Sequence, residues 1–355
     1  MLDRYLTGEP LINAYRDPNI CNPLDPEQQR GACLTPEALI PPPYGDAPPN
    51  RFYGQASTGS TPVDPKLKAP STDEFVIGAD YEILPEGRLG ISYTKRWLNH
   101  TIEDMSRDEA QTFFFGNPGY GIARDFPKAE RRYDAITAQF SKAFSHRWLG
   151  QASYTASWLR GNYSGLFRAE DQQLDPHQNS DFDLRSVIVN RYGPLPGDRR
   201  HVVKAFFARE LALGERSILT PGLAFRAYSG EPSNYLGGHA LYGVDQVYVL
   251  PRGAGERLPW TYSVDLRVSY GFNFNEYRGL SLSFDVFNLF NYQRPTLLDQ
   301  RYTSSPVAPV TSGGLSALRT ADGGELAPDA INPNFGRATR YQAPRVFRFG
   351  LKGTF

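Results

Sequence analysis

The chain has 355 residues, with 38 Lys or Arg balanced by 38 Asp or Glu, so its formal net charge is zero. Without a basic excess or a basic tract, a nucleic-acid partner is not expected. No apolar run approaches the roughly 18 residues that a transmembrane helix needs. The 22 Phe, 21 Tyr and 33 Gly residues are instead typical of a β-rich protein.

Residues 1–72 are rich in Pro and polar side chains and carry no sustained alternation, which predicts a largely irregular loop region. Cys21 and Cys33 lie close together there, in "CNPLDPEQQRGAC". A metal site would need more ligands nearby. The spacing therefore favours a local disulfide in an oxidising compartment over metal binding.

From residue 73 onward the sequence predicts nine β-strands, because apolar side chains recur at every second position. Eight strands form four hairpins, at 71–97, 132–161, 201–230 and 261–291, and the ninth is "RVFRFGLKGTF" at 345–355. The alternation is clearest in "TYSVDLRVSYGFN" at 261–273, where every even position is apolar. A short "FNEYR" turn separates it from the next strand.

The strand from Trp148 to Trp158 gives a height that can be compared with the thickness of a membrane. Trp148 and Trp158 bracket ten residue steps on one face. At roughly 3.3 Å per residue and a tilt of about 45°, this corresponds to ~23 Å of height, against about 25 Å for the apolar band of an outer-membrane barrel. We therefore predict an aromatic girdle that includes Trp148, Trp158, Tyr262 and Phe272.

The connections alternate strictly between short turns and long polar segments, which is typical of outer-membrane barrels with short periplasmic turns and long extracellular loops. The predicted fold is all-β, a transmembrane antiparallel β-barrel. Spanning sheets must close, and bacterial single-chain barrels have even strand numbers. Nine strands are therefore expected to be part of a larger barrel, with 1–72 as extracellular loop and 73–355 as the C-terminal barrel portion.

The last strand places Phe347, Phe349, Leu351 and Phe355 on one side, next to Gly350. We interpret these five residues as an assembly signal for the barrel-assembly machinery, which an exposed strand edge can engage by β-augmentation. An ordinary last strand of a soluble sheet is the alternative. Polar residues on the other side of the strands are expected to face the lumen and pair with one another; they include Asp265, Arg267, Asp285, Arg345 and Lys352.

The segment "RAEDQQLDPHQNSDFDLRS" at 168–186 gathers several acids. Asp175, Asp181 and Asp183 are candidate Ca²⁺ ligands, since Ca²⁺ prefers clustered oxygen atoms. The EF-hand spacing and its Gly are absent, so a solvated acidic loop is favoured. The five His residues are scattered and no catalytic constellation stands out, so we expect neither an enzyme nor a bound cofactor.

Several phrases resemble TonB-dependent outer-membrane receptors. "SFDVFNLFN" at 283–291 is similar to an element that precedes their C-terminus, and "RFGLKGTF" at 348–355 is similar to their insertion signal. Further phrases resemble the Oar-like branch; they are "RRYDAITAQFSKAFSHRW", "ASYTASWLRGNYSGLF", "LPGDRRHVVK" and "YSGEPSNYLGGHALYG". Gly353 departs from the pattern, since an apolar or aromatic residue is usual there.

The resemblance implies ligand binding and energised import across the bacterial outer membrane. It implies contact with outer-membrane lipid, an unknown extracellular ligand, and the TonB complex through a plug domain that we do not find in this sequence. A non-transporting adhesin or surface scaffold is the alternative. A soluble all-β carbohydrate-binding protein is the third hypothesis, disfavoured by strands of about twelve residues where five or six are usual.

Overall fold

The computed structural model describes residues 61–170, 179–275 and 277–355. The chain divides into two compact units, Met1–Val63 with Phe113–Phe115, and Asp64–Thr112 with Gly116–Phe355. In the first unit, Val63 forms a parallel bridge with Phe115. Among the described residues, no helix has the length and apolar character that crossing a membrane requires. Cys21 and Cys33 lie outside the described residues.

The second unit contains a sheet whose main path is nine strands, and each strand pairs antiparallel with the next one along this path. They are β1 (Ser71–Leu84), β2 (Gly87–His100), β3 (Arg131–Ser145), β4 (Trp148–Gly161), β5 (His201–Arg209), β6 (Ser217–Tyr228), β7 (Thr261–Asn273), β8 (Gly279–Phe287) and β9 (Val346–Thr354). The prediction of a meander of nine long antiparallel strands is confirmed. Two further short strands, Gly193–Pro194 and Leu211–Ala212, pair with β4 and β6.

Short turns lie at one end of the sheet and long loops at the other, as the sequence predicts. The loops are L1 (101–130), L2 (162–200), L3 (229–260) and L4 (288–345). The two-residue turn between β3 and β4 has positive φ at both His146 (50°) and Arg147 (64°). Both values match the type I′ geometry, whose twist suits a tight hairpin.

Two irregularities follow from individual residues. Pro221, inside β6, has no N–H to donate. Among the described residues its only strand partner is Val268 of β7, because β5 pairs with β6 only from Gly222 onward. Proline is tolerated at such a break in a ladder. The strand predicted to continue to residue 291 ends at Phe287, because Asn288 (φ 52°) and Asn291 (φ 55°) adopt the left-handed region.

The sheet is not closed among the described residues. β1 pairs only with β2, and β9 pairs only with β8, so each presents a free edge. The barrel is therefore partial, in agreement with the expectation from nine strands.

The long loops carry their own secondary structure and hold most of the buried apolar core. Their strands are Glu103–Met105, Phe114–Gly116, Leu236–His239, Gly243–Tyr248, Pro295–Leu298, Arg301–Pro306 and Ala338–Tyr341, and their short helices are Gly121–Ala123, Arg185–Ile188, Gly314–Ala317 and Pro328–Ala330. Leu236–His239 pairs with strands from both L3 and L4. A cluster of Val247, Val249, Val307, Val310 and Leu318 packs there.

Candidate functional site

The nine-stranded sheet has one continuous apolar face. Residues directly opposite each other on antiparallel strands point to the same side, so register shows what each face presents. One row across seven strands consists of Tyr81, Leu89, Phe140, Ala152, Ala205, Phe225 and Val264. All are apolar or aromatic. Each is exposed or half-buried, so no second layer of the described residues covers them. A face of this kind, many strands wide, suits contact with lipid.

The four residues predicted for the girdle all lie on this apolar face. Trp148 and Phe272 lie at the turn end of β4 and β7, whereas Trp158 and Tyr262 lie towards the loop end. Their role as a membrane girdle stays a prediction.

The structure adds an aromatic row that the sequence did not reveal. The rings of Tyr154, His201, Trp260 and Tyr262 stack in series, with centroid distances of 6.0, 5.7 and 6.2 Å. Tyr154 also hydrogen-bonds His201 Nδ1 through its hydroxyl at 2.9 Å. Because the row depends on the register of three hairpins, no local signal could have shown it.

The predicted assembly residues lie on β9, the free edge of the sheet. Phe347 and Phe349 stack against Phe284 of β8 at 6.1 and 5.0 Å between centroids. Leu351 lies opposite Leu282, and Gly350 lies opposite Ser283. Phe355 follows the strand and is fully exposed. The edge is thus open for another strand, which is the geometry that β-augmentation requires.

The opposite face of the sheet carries charges that pair across strands. Asp285, which is buried, accepts a 2.9 Å hydrogen bond from Arg348 Nε and lies 3.5 Å from Arg267 Nη1. Asp265 pairs with Arg226 of the neighbouring strand. This arrangement matches the interpretation of these residues as a water-facing wall satisfied by cross-strand pairs.

At the loop end, three arginines surround one buried tyrosine. The guanidinium carbons of Arg168, Arg191 and Arg252 lie 5.7, 5.4 and 4.7 Å from the ring centroid of Tyr248. All four side chains are buried, so the cation–π attraction acts where water is excluded. We call this group, with Glu170 and Asp181, the arginine cluster. It joins L2 to L3.

Two carboxylates compensate the arginine cluster. Glu170 Oε1 accepts the Tyr248 hydroxyl at 2.9 Å and lies 3.2 Å from Arg252 Nη2. Asp181 pairs with Arg191 and lies 3.6 Å from Arg252 Nη2. Burial acts to raise the pKa of Asp181, but the charges of Arg191, Arg252 and Arg168 hold it at about 2.

Asp181 is therefore committed to an internal ion pair and is not part of a solvated acidic loop, contrary to the sequence-based expectation. Asp183 is half-buried, and desolvation together with Asp104 raises its pKa well above the ordinary value. A raised pKa disfavours the charged carboxylate form that Ca²⁺ binds. Asp175 lies outside the described residues. Among the residues that the structure describes, no group of three or more His, Cys, Asp or Glu could hold a metal ion.

A second polar connection joins three loops. Ser186, in the short helix of L2, donates its hydroxyl proton to Glu109 of L1 and lies 2.9 Å from His239 Nε2 of L3. His239 Nδ1 accepts hydrogen bonds from the backbone N–H groups of Leu241 and Tyr242 at 3.2 and 3.3 Å. The proton of the neutral ring is therefore on Nε2, which donates to Ser186.

This tautomer excludes a hydrolytic triad, because a catalytic imidazole must accept the serine proton. Desolvation, with the nearby charge of Arg191, lowers the pKa of His239 although Glu109 acts against it. The contact instead fixes L1, L2 and L3 to one another. We call these three loops, held by this contact and the arginine cluster, the loop cap. The cap is suited to holding a preorganised binding surface rather than to catalysis.

A β-sheet with one apolar and one charged face, short turns at one end and structured loops at the other defines the wall of a membrane β-barrel. No family model matches the chain. The whole chain is 41% identical, over 377 aligned residues, to the TonB-dependent transporter Oar of Myxococcus xanthus. This similarity bears out the resemblance to TonB-dependent receptors, and the chain spans 35% of the length of that relative.

Two solved structures are also similar. The ferric-catecholate import receptor Fiu from E. coli matches 81% of this chain and 28% of its own, at 10% identity and a TM-score of 0.44. FpvA of P. aeruginosa, solved with a heterologous pyoverdine, matches 65% of this chain and 25% of its own, at 13% identity and a TM-score of 0.37. The Oar relative is a transporter, which is not an enzyme.

Proposed function

We propose that the chain forms barrel wall and extracellular loops of a TonB-dependent receptor in the bacterial outer membrane, which binds a ligand outside the cell and takes part in its energised import. The observation that carries this proposal is the 41% identity to the Oar transporter over the whole chain. The apolar face of the sheet and the rigid loop cap support it, since the first suits lipid and the second suits binding.

The proposal includes four partners. The apolar face contacts outer-membrane lipid, the free edge of β9 engages the barrel-assembly machinery, the loop cap binds the ligand, and the TonB complex acts through a plug domain. Residues 1–72 are proposed as extracellular loop and 73–355 as the C-terminal barrel portion. In this arrangement Phe355 lies at the periplasmic edge.

Orientation can be tested with two matched peptide-tag insertions. Gly214, between β5 and β6, and Gly314, in L4, both have positive φ and open space where a side chain would lie. Neither insertion should therefore disturb packing. On intact cells, an antibody should label the tag at Gly314 and should label the tag at Gly214 only after the outer membrane is permeabilised. Labelling of Gly214 on intact cells would contradict the proposed topology.

Import can be tested by growth. A strain that lacks this gene should fail on at least one nutrient from a panel, and a strain that lacks TonB should fail on the same nutrient. A strain with defective surface attachment but no TonB-dependent growth defect would instead support the adhesin hypothesis.

A further inference from the structure

Three arginines meet on the apolar face of the sheet, at its loop end. Arg132 of β3 and Arg160 of β4 are direct cross-strand partners, so they point to the same side. The guanidinium of Arg200, just before β5, lies 5.9 Å from the ring centroid of Trp158, which is also on this face. Like charges directly opposite each other on a sheet are destabilising. The arrangement therefore needs a compensating anion.

The chain supplies too few anions there. Glu130 lies 3.1 Å from Arg132, and Asp198 lies 3.2 Å from Arg200 Nε. Asp198 is shared, because it also pairs with Arg257. Arg160 is exposed, and it makes no ion pair within the described part of the chain. With Lys95 and Asp134, which lie on the same face just below Arg132, the local balance is five cations against three carboxylates, although the chain as a whole is neutral.

An apolar groove lies on the same face of the sheet, further along β4 and β5 towards the turn end. It has a volume of about 330 Å³, and its floor and walls include Gly150, Ala152, Ala205, Phe140 and Phe207. The small residues lie in register, Gly150 opposite Phe207 and Ala152 opposite Ala205, so they leave a depression between aromatic rings. The groove accepts a flexible apolar chain and offers almost no polar partner.

The distance between the arginines and the groove is close to the length of one lipid molecule. Arg160 and Ala152 are eight residues apart on β4, which is roughly 26 Å along the strand and about 19 Å of depth at a 45° tilt. One leaflet is about 20–22 Å thick, of which about 15 Å is hydrocarbon and the rest is the headgroup region. An acyl chain whose headgroup lies at Arg160 therefore ends near Ala152, at the upper end of the groove.

We propose that β3, β4 and β5 form a specific site for a phosphate-bearing lipid, whose headgroup binds Arg132, Arg160 and Arg200 and whose acyl chain lies along β4 into the groove at Gly150 and Ala152. Arginine forks match phosphate oxygens well. The inference rests on the proposed outer-membrane location. A free phosphate would use the arginines alone, and only a lipid uses both the arginines and the groove.

The test uses the complete barrel to which this chain contributes, reconstituted in phosphatidylcholine vesicles that contain a small fraction of phosphatidic acid with brominated acyl chains. Bromine quenches tryptophan fluorescence on contact, and Trp148 and Trp158 lie on this face. Comparison with brominated phosphatidylcholine in the same vesicles gives the preference for the anionic lipid. We expect the wild-type protein to be quenched more strongly by the phosphatidic acid.

The double variant R132Q/R160Q should lose this preference. At a basic residue near an anionic headgroup, roughly a fivefold gain in binding is typical, so the two together should account for about 25-fold. The matched control R209Q/R216Q removes the same charge at the turn end of the sheet and should retain the preference. The Ala152→Phe variant, which fills the groove, should weaken binding of a long-chain phosphatidic acid but not of a short-chain one.

The outcomes are distinct. Equal preference in R132Q/R160Q and in the control, or no preference in the wild type, would overturn the lipid site. Failure of the wild type to insert in vesicles at all would instead count against the proposed membrane location. Unheated gel mobility, which reports the folded barrel, verifies that each variant compared has folded.

Discussion

Substitution of Asp181 by Asn removes one of two carboxylates from the arginine cluster while the side-chain volume is conserved. The side chains of Asp181 and Arg191 are 0% and 1% exposed. Removal of one partner from a buried ion pair typically costs about 3–5 kcal/mol, because the other charge is left without compensation. Here the uncompensated charge is that of Arg191, since Arg252 keeps Glu170 at 3.2 Å, so we expect the loop cap to lose about 3 kcal/mol of opening free energy.

Amide hydrogen exchange measures this loss locally. A decrease of ~3 kcal/mol corresponds to exchange about 150-fold faster wherever the cap must open. We expect that acceleration at residues 179–191 of L2 and at 245–252 of L3. The amides of β3 and β4 should keep their exchange rates, since the sheet does not depend on the cluster.

The control is Asp125→Asn, which breaks the exposed pairs of Asp125 with Arg107 and Arg185. Exposed ion pairs contribute at most about 1 kcal/mol, so exchange should accelerate by roughly fivefold or less. The double variant D181N/R191M should recover part of the protection, because it removes the unpaired cation. If D181N exchanged no faster than D125N, the cluster would not be what holds L2 to L3.

Three further predictions concern other parts of the molecule. Phe355 is fully exposed and so adds little to the stability of the fold. Phe355→Ser should reduce the amount of folded barrel in cell membranes, while the thermal unfolding of the purified protein stays unchanged. A lower unfolding temperature would contradict an assembly role. Burial, and after it the charges of Asp181 and Asp183, raises the pKa of Glu103 well above its usual value. The stability that Glu103 contributes is therefore complete below the pKa of the unfolded state, and it is lost as pH rises through the pKa of the folded state. Glu103→Gln should therefore slow cap exchange at alkaline pH relative to wild type, and an unchanged pH profile would refute this. Ser186→Ala should accelerate exchange in L1 and L3 together, whereas Ser316→Ala in L4 should affect neither.

The acid side of the pH profile follows from Asp181. Its pKa of about 2 lies below the ordinary 3.8, so it contributes stability that is present above pH ~4 and is lost as pH falls towards 2. The shift corresponds to about 2 kcal/mol at neutral pH. Cap exchange should accelerate over that acidic range in wild type and should be nearly flat there in D181N. A flat wild-type profile would mean that the ion pair does not stabilise the cap.

The sheet was predictable from sequence because each of its strands has local signals. Alternation such as that from Tyr262 to Phe272 specifies which side is apolar, and the short turns specify which strands pair. The end of β8 was predicted too late. "DVFNLFN" continues the apolar alternation, but Asn288 takes a left-handed conformation and its side chain donates to the carbonyl oxygens of Tyr292 and Ala343.

The loop cap was not predictable, because its contacts join residues far apart in the chain. Arg168 donates to Gln246 at 2.5 Å across 78 positions, and charged residues are rarely buried unless paired. The sequence offers one local signal, the β-forming run "QVYVL" at 246–250 inside a loop that was otherwise treated as irregular. It would have indicated a buried loop strand around Tyr248, though not its arginines.

The central claim is that one face of the sheet meets lipid and the other meets water. Single cysteines, placed one at a time along 261–273 of β7 in a chain without Cys21 and Cys33, can carry a fluorescent label for quenching by lipid-soluble and water-soluble agents. The account predicts strict alternation: labels at even positions from Tyr262 to Phe272 are quenched from lipid, and labels at odd positions are quenched from water. Quenching from water at every position, or without a period of two, would contradict it.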